Sequence, residues 1–439
     1  MTMRPDPPRL SLLRGVGYAS GNFAKSLIWN ATELALLFTF TDLMGIPAAA
    51  AGLIILATLV WDALLDPFVG DLADRTGRFA PFVWRSAPLL GLSFAALFAS
   101  PSLGLGGAAP AAVALLGLRT AYSLVDVPHN ALIARIARTA HDRSLLAGAR
   151  FVFSAAATFL LGFTLPVILA IEPAARARDA LALWAAATAA ATTALLMLSA
   201  WAASPFDRAG PRQPAVGARA PLVHLASVLG RARVRTVLML ACLGNGLTAL
   251  VAKAALYLAD QVYGDATLAG GAIMALAIGQ VSGMPLWIRL SRGSGVRFAL
   301  ATAHGVAGVC ALPLVAGLVL PSYLFLVAVG LYGVGAGGVF TLIWTLTSEA
   351  ADVGPGVPGA NGGAIFGLVI MAMQIASGAG SALMALGLSV AGYAPDARGT
   401  PEVLNALATF MIAPAIAAIA AAWILAGTPG RKAVRPPPI

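Results

Sequence analysis

Seven ionisable side chains lie inside long apolar runs in the first half of the sequence: Lys25, Glu33, Asp62, Asp66, Arg119, Asp126 and Arg150. In the second half only Lys253 is so placed. A charge at the centre of a bilayer costs about 2.5–3.5 kcal/mol on the insertion scale, so the seven left unpaired would cost on the order of 20 kcal/mol. They must therefore face a polar interior and neutralise one another. Asp62 and Asp66 are four residues apart and share one helix face. Two carboxylates one turn apart can hold a proton between them, because like charges at short range oppose double ionisation. With the Ser123 hydroxyl, their oxygens could instead ligate sodium. Four carboxylates stand against three cations, and one monovalent cation, H+ or Na+, at Asp62 and Asp66 would fill the deficit. If the ion is Na+, these two acids are its metal ligands. The other reading is an ion-pair network that ties the first, second and fourth spans together, although paired carboxylates on one face make a wasteful tether. Arg119, Tyr122, Ser123 and Asp126 fall along one stripe of the fourth span.

The elements that position these groups follow from composition. Of 439 residues, 59% are apolar and 10% charged, against roughly 25% charged in a soluble domain. That excludes a secreted domain, a disordered chain and a water-soluble enzyme. Apolar runs between charged or Pro/Gly breaks predict transmembrane helices near residues 15–41, 48–70, 82–101, 109–138, 147–171, 179–203, 234–262, 267–290, 297–318, 321–350, 359–390 and 401–426. Twelve spans of roughly 20 residues fit the length. With both termini cytoplasmic, the outer loops hold only Arg176, Arg178 and Arg398, and almost all other basic residues outside the spans fall inside. Such enrichment is how cytoplasmic loops are marked, and shifting the count by one span would ruin it. The same rule explains the net charge of +10 without invoking nucleic acid. Cys242 and Cys310 lie in apolar runs and supply neither a disulfide framework nor zinc spacing. The basic, Pro-rich first residues precede an apolar stretch too long for a cleavable signal peptide. Asp62 and Asp126 fall about three residues past the middle of inward-running spans, and Lys25 about three before the middle of an outward-running one. At 1.5 Å per residue all three reach similar depth, slightly to the cytoplasmic side.

The long polar segment 204–233, rich in Pro, Gly and Arg, separates a six-helix bundle (1–203) from a second one with its tail (234–439). This all-α layout of two six-helix bundles is that of the major facilitator fold, with substrate held at midplane between the halves. The run Trp61-Asp62-Ala63-Leu64-Leu65-Asp66-Pro67-Phe68-Val69-Gly70-Asp71-Leu72-Ala73-Asp74-Arg75-Thr76-Gly77-Arg78-Phe79-Ala80-Pro81-Phe82 resembles the second-span and loop signature of the glycoside–pentoside–hexuronide:cation symporters. These are the melibiose-permease-like branch of the superfamily. Tyr18-Ala19-Ser20-Gly21-Asn22-Phe23-Ala24-Lys25, Tyr122-Ser123-Leu124-Val125-Asp126-Val127-Pro128, and Arg143 with Arg150 are similar to further family stretches, as is Gly392-Tyr393 near the end of the eleventh span.

The resemblance implies a multi-pass protein of the bacterial inner membrane that moves a small solute, a sugar or glycoside, with H+ or Na+ by alternating access. It implies cation coupling at Asp62, Asp66 and Ser123, and a substrate site lined by Lys25, Tyr122, Asp126 and Arg150. Asp74, Arg75 and Arg78 resemble the superfamily's inner-gate latch. Asn130 is a candidate neutral hydrogen-bonder beside them, and Trp344, on one face of the tenth span with Phe340, a candidate to close the site. No enzyme, cofactor or nucleic-acid partner is expected; the expected partners are a small-molecule substrate and the lipid bilayer, and the expected state is a monomer. Four departures from the family pattern stand out: Ser26 in place of an Asp, Leu65 in place of a polar residue, Gln374 where Lys is frequent, and an Ala360-Asn361-Gly362 segment without the usual Arg and acid. Ser26 and the apolar second half keep open a proton-coupled exporter, or a carrier, of an amphipathic compound or lysolipid. A non-transporting sensor or intramembrane enzyme would need an output domain or catalytic set, and the sequence offers neither. Glu33, Trp29, Lys253 and His129 are weaker candidates; His141, His224 and His304 read as incidental.

Overall fold

The computed structural model describes residues 10–137, 139–169, 171, 173–207, 220–263, 266–316, 321–351, 362–392 and 399–427. Among them the structure is entirely helical. The elements are α1 (Leu12–Phe38), α2 (Ala48–Thr76), α3 (Ala80–Ala99), α4 (Ala108–Ile136), α5 (Ala140–Leu169), α6 (Ala174–Ala203), α7 (Ala220–Leu229) and α8 (Ala232–Cys242). They continue with α9 (Leu250–Gln261), α10 (Ala266–Ser282), α11 (Met284–Ser294), α12 (Val296–Ala316), α13 (Ser322–Ala351), α14 (Gly362–Val390) and α15 (Pro401–Gly427). A π-helical turn, Thr39–Leu43, extends α1, and another, Leu243–Thr248, joins α8 to α9. Among the described residues, eleven helical segments are long and apolar enough to cross a bilayer by length and composition, and α1, at 27 residues, has the length while carrying Lys25 and Glu33. The predicted seventh and eighth spans are each broken into two helices. Much of the 204–233 linker, the Ala360-Asn361 pair and Tyr393 lie outside the described residues.

Two differences from the sequence expectation bear on function. First, α2 runs on through Asp71, Asp74 and Arg75, so most of the presumed loop motif is helical. The stop comes at Gly77, whose φ of 73° is the left-handed conformation that glycine adopts without steric cost. Second, the linker holds a helix, α7, too short to register as a span, with Leu225 and Val228 buried.

The chain forms two compact units. Unit 1 contains residues 1–228, 284–296 and 344–375, and so includes α1–α6, α7 up to Val228, α11 and the adjoining parts of α13 and α14. In it α1 packs along α5 and α6, while α3 packs on α4 and α6, and α2 on α4. Small residues allow this: Gly91 of α3 lies against Ala189 and Thr193 of α6, while the Phe94 ring is tilted against those of Phe98 and Trp184. α1 and α4 meet mainly through the polar side chains described below. Unit 2 contains residues 229–283, 297–343 and 376–439. Its core is built on Leu250, Leu258, Phe325, Tyr332, Leu407 and Met411, and Phe340 packs against this core. The Tyr332 hydroxyl donates to the Thr248 carbonyl in the π-helical turn, where the regular helical ladder is interrupted.

Candidate functional site

Unit 1 gathers the in-span charges of the first half into three connected clusters. In the first, the Lys25 ammonium of α1 donates to Asp126 Oδ1 at 2.6 Å and to Asn130 Oδ1 at 2.8 Å. Asn130 and Asp126 are one turn apart on α4, and the Asn130 amide donates back to Asp126 Oδ2 at 2.8 Å. Arg150 of α5 also donates to Asn130 Oδ1, and its Nε donates to Asn22 Oδ1 at 2.7 Å. Asn130 is thus the neutral hub between two cations and a carboxylate. The Arg150 guanidinium lies 5.9 Å from the Tyr18 ring and 5.5 Å from the Trp344 ring, and Trp344 stacks on Phe366. Arg150 Nη1 is buried with no hydrogen-bond partner among the described residues. A buried donor left in this way marks a place where a polar ligand gains most. Ser26 donates to Ser154 at 2.8 Å, and so keeps the region polar without adding charge.

The second cluster adjoins it through α4, where Ser123 and Asp126 are one turn apart. Asp62 and Asp66 of α2 are fully buried. The Ser123 hydroxyl donates to Asp66 Oδ1 at 2.6 Å. Gln374 of α14 donates from Nε2 to both acids, at 3.2 Å each. Asp62 Oδ1 and Gln374 Oε1 are buried acceptors without a partner among the described residues. Two orphaned oxygens beside two carboxylates and a hydroxyl suit a bound proton or a sodium ion, since both need oxygen donors and little else. Leu65, between the two acids in sequence, points elsewhere and packs in an apolar cluster with Val69, Val127 and Ile370. Its replacement of a polar residue therefore leaves this oxygen set intact.

The third cluster brings in Glu33 and Trp29, which the sequence ranked low. Arg119 of α4, almost fully buried, pairs with Glu33 of α1 at 2.7 Å and lies 4.5 Å from the centroid of the Trp29 ring. Trp29 in turn sits 5.2 Å from Tyr122.

Near the ends of α2 and α4 the structure separates the three candidate gate residues. Asp74 accepts from the backbone N–H groups of Gly363 and Ala364, at 2.9 and 2.8 Å, and so caps the start of α14. Arg75 pairs with Asp71 at 2.7 Å, not with Asp74, and Asp71 also holds His224 of α7 at 2.6 Å. Arg78 is exposed, and its backbone meets the Thr76 hydroxyl, which donates to the Arg78 carbonyl at 2.9 Å and accepts from its N–H at 3.5 Å. The backbones of α2 and α14 approach so closely that a β-carbon at Gly70, Gly363 or Gly367 would overlap main-chain atoms. Alongside, a buried ion pair joins Arg135 to Asp207, which also accepts from the Ala80 N–H at 2.7 Å, and Arg135 lies over the Phe79 ring.

A family model described as MFS/sugar transport protein matches residues 17–429. The chain belongs to this family of transport proteins. Its likeness to named relatives is partial. It is 33% identical over 156 residues to the inner membrane symporter YicJ of Escherichia coli strain K12, which covers 34% of each chain. It is 25% identical over 408 residues to the glucuronide carrier protein homolog of the same strain, covering 90% of this chain and 87% of that one. Among relatives above 30% identity, the chain spans about a third of the length of the curated symporters it matches. The crystal structure of the Escherichia coli fucose:proton symporter superposes with a TM-score of 0.67 at 17% identity, over 95% of this chain and 99% of that one. That likeness establishes the major facilitator fold. The protein is therefore a multi-pass membrane protein of a transporter family.

Within that frame the expected site residues sort cleanly. Lys25, Asp126, Asn130, Arg150 and Trp344 come together, as do Asp62, Asp66 and Ser123. Tyr122 joins Trp29 and, through it, the Arg119 cluster. Asn22 and Gln374 take part without having been singled out as site residues. His129 is a packing residue, hydrogen-bonded to Ser199 at 2.8 Å and stacked on Tyr18. In unit 2, Lys253 donates to the Ser381 hydroxyl and the Ser377 carbonyl. Among the described residues, no group of three His, Cys, Asp or Glu side chains forms a metal cluster.

Proposed function

We propose that this protein is a secondary transporter that carries a sugar or glycoside into the cell together with one monovalent cation, H+ or Na+. The observation that carries the reading is the adjacency of two unlike sets on one helix. Ser123 belongs to the oxygen-rich set with Asp62, Asp66 and Gln374, and Asp126, one turn away, belongs to the donor-and-acceptor set with Lys25, Asn130 and Arg150. The first set holds the coupling ion. The second offers charged donors and a carboxylate, which form charge-assisted bonds with sugar hydroxyls. Ion and solute thus occupy neighbouring places, and each changes the electrostatic environment of the other.

In this reading the two six-helix halves rock about the linker, and Asp74 latches one state by capping α14. Arg75 supports it through Asp71. The termini lie in the cytoplasm of a bacterium, as the basic loops require. The rival reading as an exporter of an amphipathic compound drew on Ser26 and the apolar second half. The polar lining around Ser26 and the sugar and symporter names of the relatives disfavour it. Uptake by proteoliposomes from a glycoside panel, under separate H+ and Na+ gradients, tests the proposal. Accumulation of a glycoside above equilibrium under one of the two gradients is expected. Uptake that reaches the same level with and without either gradient would overturn it.

A further inference from the structure

The contacts between α1 and α4 form three successive layers. Lys25 pairs with Asp126, Trp29 lies against Tyr122 one turn further along α1, and Glu33 pairs with Arg119 another turn on. Each step is about 6 Å at 1.5 Å per residue, roughly the depth of one sugar ring. The middle layer is packed on two sides: the Arg119 guanidinium lies over the Trp29 ring, and Tyr122 is tilted against it by 44°. It is not sealed. Trp29 and Tyr122 are half-buried, and the Glu33 side chain is 42% exposed while Arg119 is 2% exposed.

We propose that Trp29 and Glu33, fixed in place by Arg119, form a second subsite that takes the outer ring of a two-ring glycoside. The inner ring occupies the Lys25–Asp126–Asn130–Arg150 set, so the inference rests on the transport reading of that set. An indole offers the flat apolar face that suits the C–H face of a pyranose. A carboxylate beside it accepts hydroxyl donors in charge-assisted bonds. A link serving only to join α1 and α4 would not require an accessible carboxylate one turn from a half-buried ring. Burying Arg119 within a membrane span is costly unless it is paired, and here its pairing orients both Trp29 and Glu33.

The test compares a methyl glycoside with a disaccharide sharing the same inner ring, in proteoliposomes carrying the unmodified chain, Trp29→Leu or Trp29→Phe. Trp29→Leu is expected to raise KM for the disaccharide about tenfold more than for the methyl glycoside, the size of a lost aromatic contact. Trp29→Phe, which keeps a ring, is expected to recover most of that difference. An equal change for both sugars, or none for either, overturns the proposal. Should Trp29→Leu fail to fold, Trp29→Phe and Trp29→Tyr decide: a smaller shift confined to the disaccharide supports the subsite, and a shared shift refutes it. If the unmodified chain takes up neither sugar under an ion gradient, the transport reading falls and the inference with it.

Discussion

Replacing Asp62 with Asn tests the charge arithmetic of unit 1 directly. Glu33, Asp62, Asp66 and Asp126 stand against Lys25, Arg119 and Arg150, and all seven are in contact or one turn apart within three linked clusters. The set carries one excess negative charge, which a single monovalent ion cancels. If the solute is neutral, one charge crosses per cycle, and a 100 mV potential then supplies about 2.3 kcal/mol. At 1.4 kcal/mol per factor of ten, that drives roughly fifty-fold accumulation. Asp62→Asn makes the set neutral without an ion while keeping shape and a hydrogen-bonding partner for Gln374. The variant is expected to lose potential-driven accumulation, falling from about fifty-fold to near equilibrium, while solute exchange across the membrane persists. Proteoliposomes with an imposed potassium diffusion potential, and counterflow in the same vesicles, measure the two quantities. A variant that still concentrates solute tens of fold would refute the coupling role. Loss of counterflow together with accumulation would favour the alternative of a purely structural network.

Three further outcomes follow from the geometry. Asp74→Ala removes the cap on Gly363 and Ala364; at 0.5–2 kcal/mol per cap, the latched population should fall up to about thirty-fold. Thiol labelling of a cysteine introduced at Ala364, in a background lacking Cys242 and Cys310, should rise accordingly, and unchanged labelling would count against the latch. Gly367→Ala places a β-carbon on the α2 backbone at Asp66 and Pro67, whereas Gly378→Ala meets nothing within 4 Å. The first should lower thermal stability in detergent and the second should not; equal melting would show that the helices adjust freely. Asp207→Ala strips Arg135 of its buried carboxylate, a loss of about 3–5 kcal/mol, and an unchanged melting temperature would refute that assignment.

Much of this was legible in the sequence because lipid makes charge informative. Lys25, Asp62, Asp66, Asp126 and Arg150 could not lie in apolar runs unless they met, and the structure joins them in connected clusters. What stayed hidden were partners that carry no formal charge. Asn22 looks like an ordinary polar residue and Gln374 stands out only as a departure from the family pattern, yet one fixes Arg150 and the other bridges the two acids. Only tertiary proximity across 308 residues or more of sequence reveals the second. His224 read as incidental because its partner Asp71 is 153 residues away. The second span, expected to end at Gly70, continues to Thr76, because Gly77 and not Gly70 has the positive φ that ends α2.

The same helix pair serves both the ion and the gate in the proposed cycle. α2 carries Asp62 and Asp66 at one level and Asp74 two turns on, about 12 Å along the axis. α14 answers with Gln374 at the first level and its own N-terminus at the second. With both acids ionised, the Gln374 amide N–H groups are drawn to the pair. A proton or sodium ion bound there weakens that attraction and favours the amide oxygen, which has no partner among the described residues. Between these levels the two backbones are in close contact at Gly70, Gly363 and Gly367, and in the proposed cycle a change at one level passes to the other through this packing. In the proposed cycle, ion occupancy and the Asp74 cap meet along this one interface, with no need for a path through the substrate.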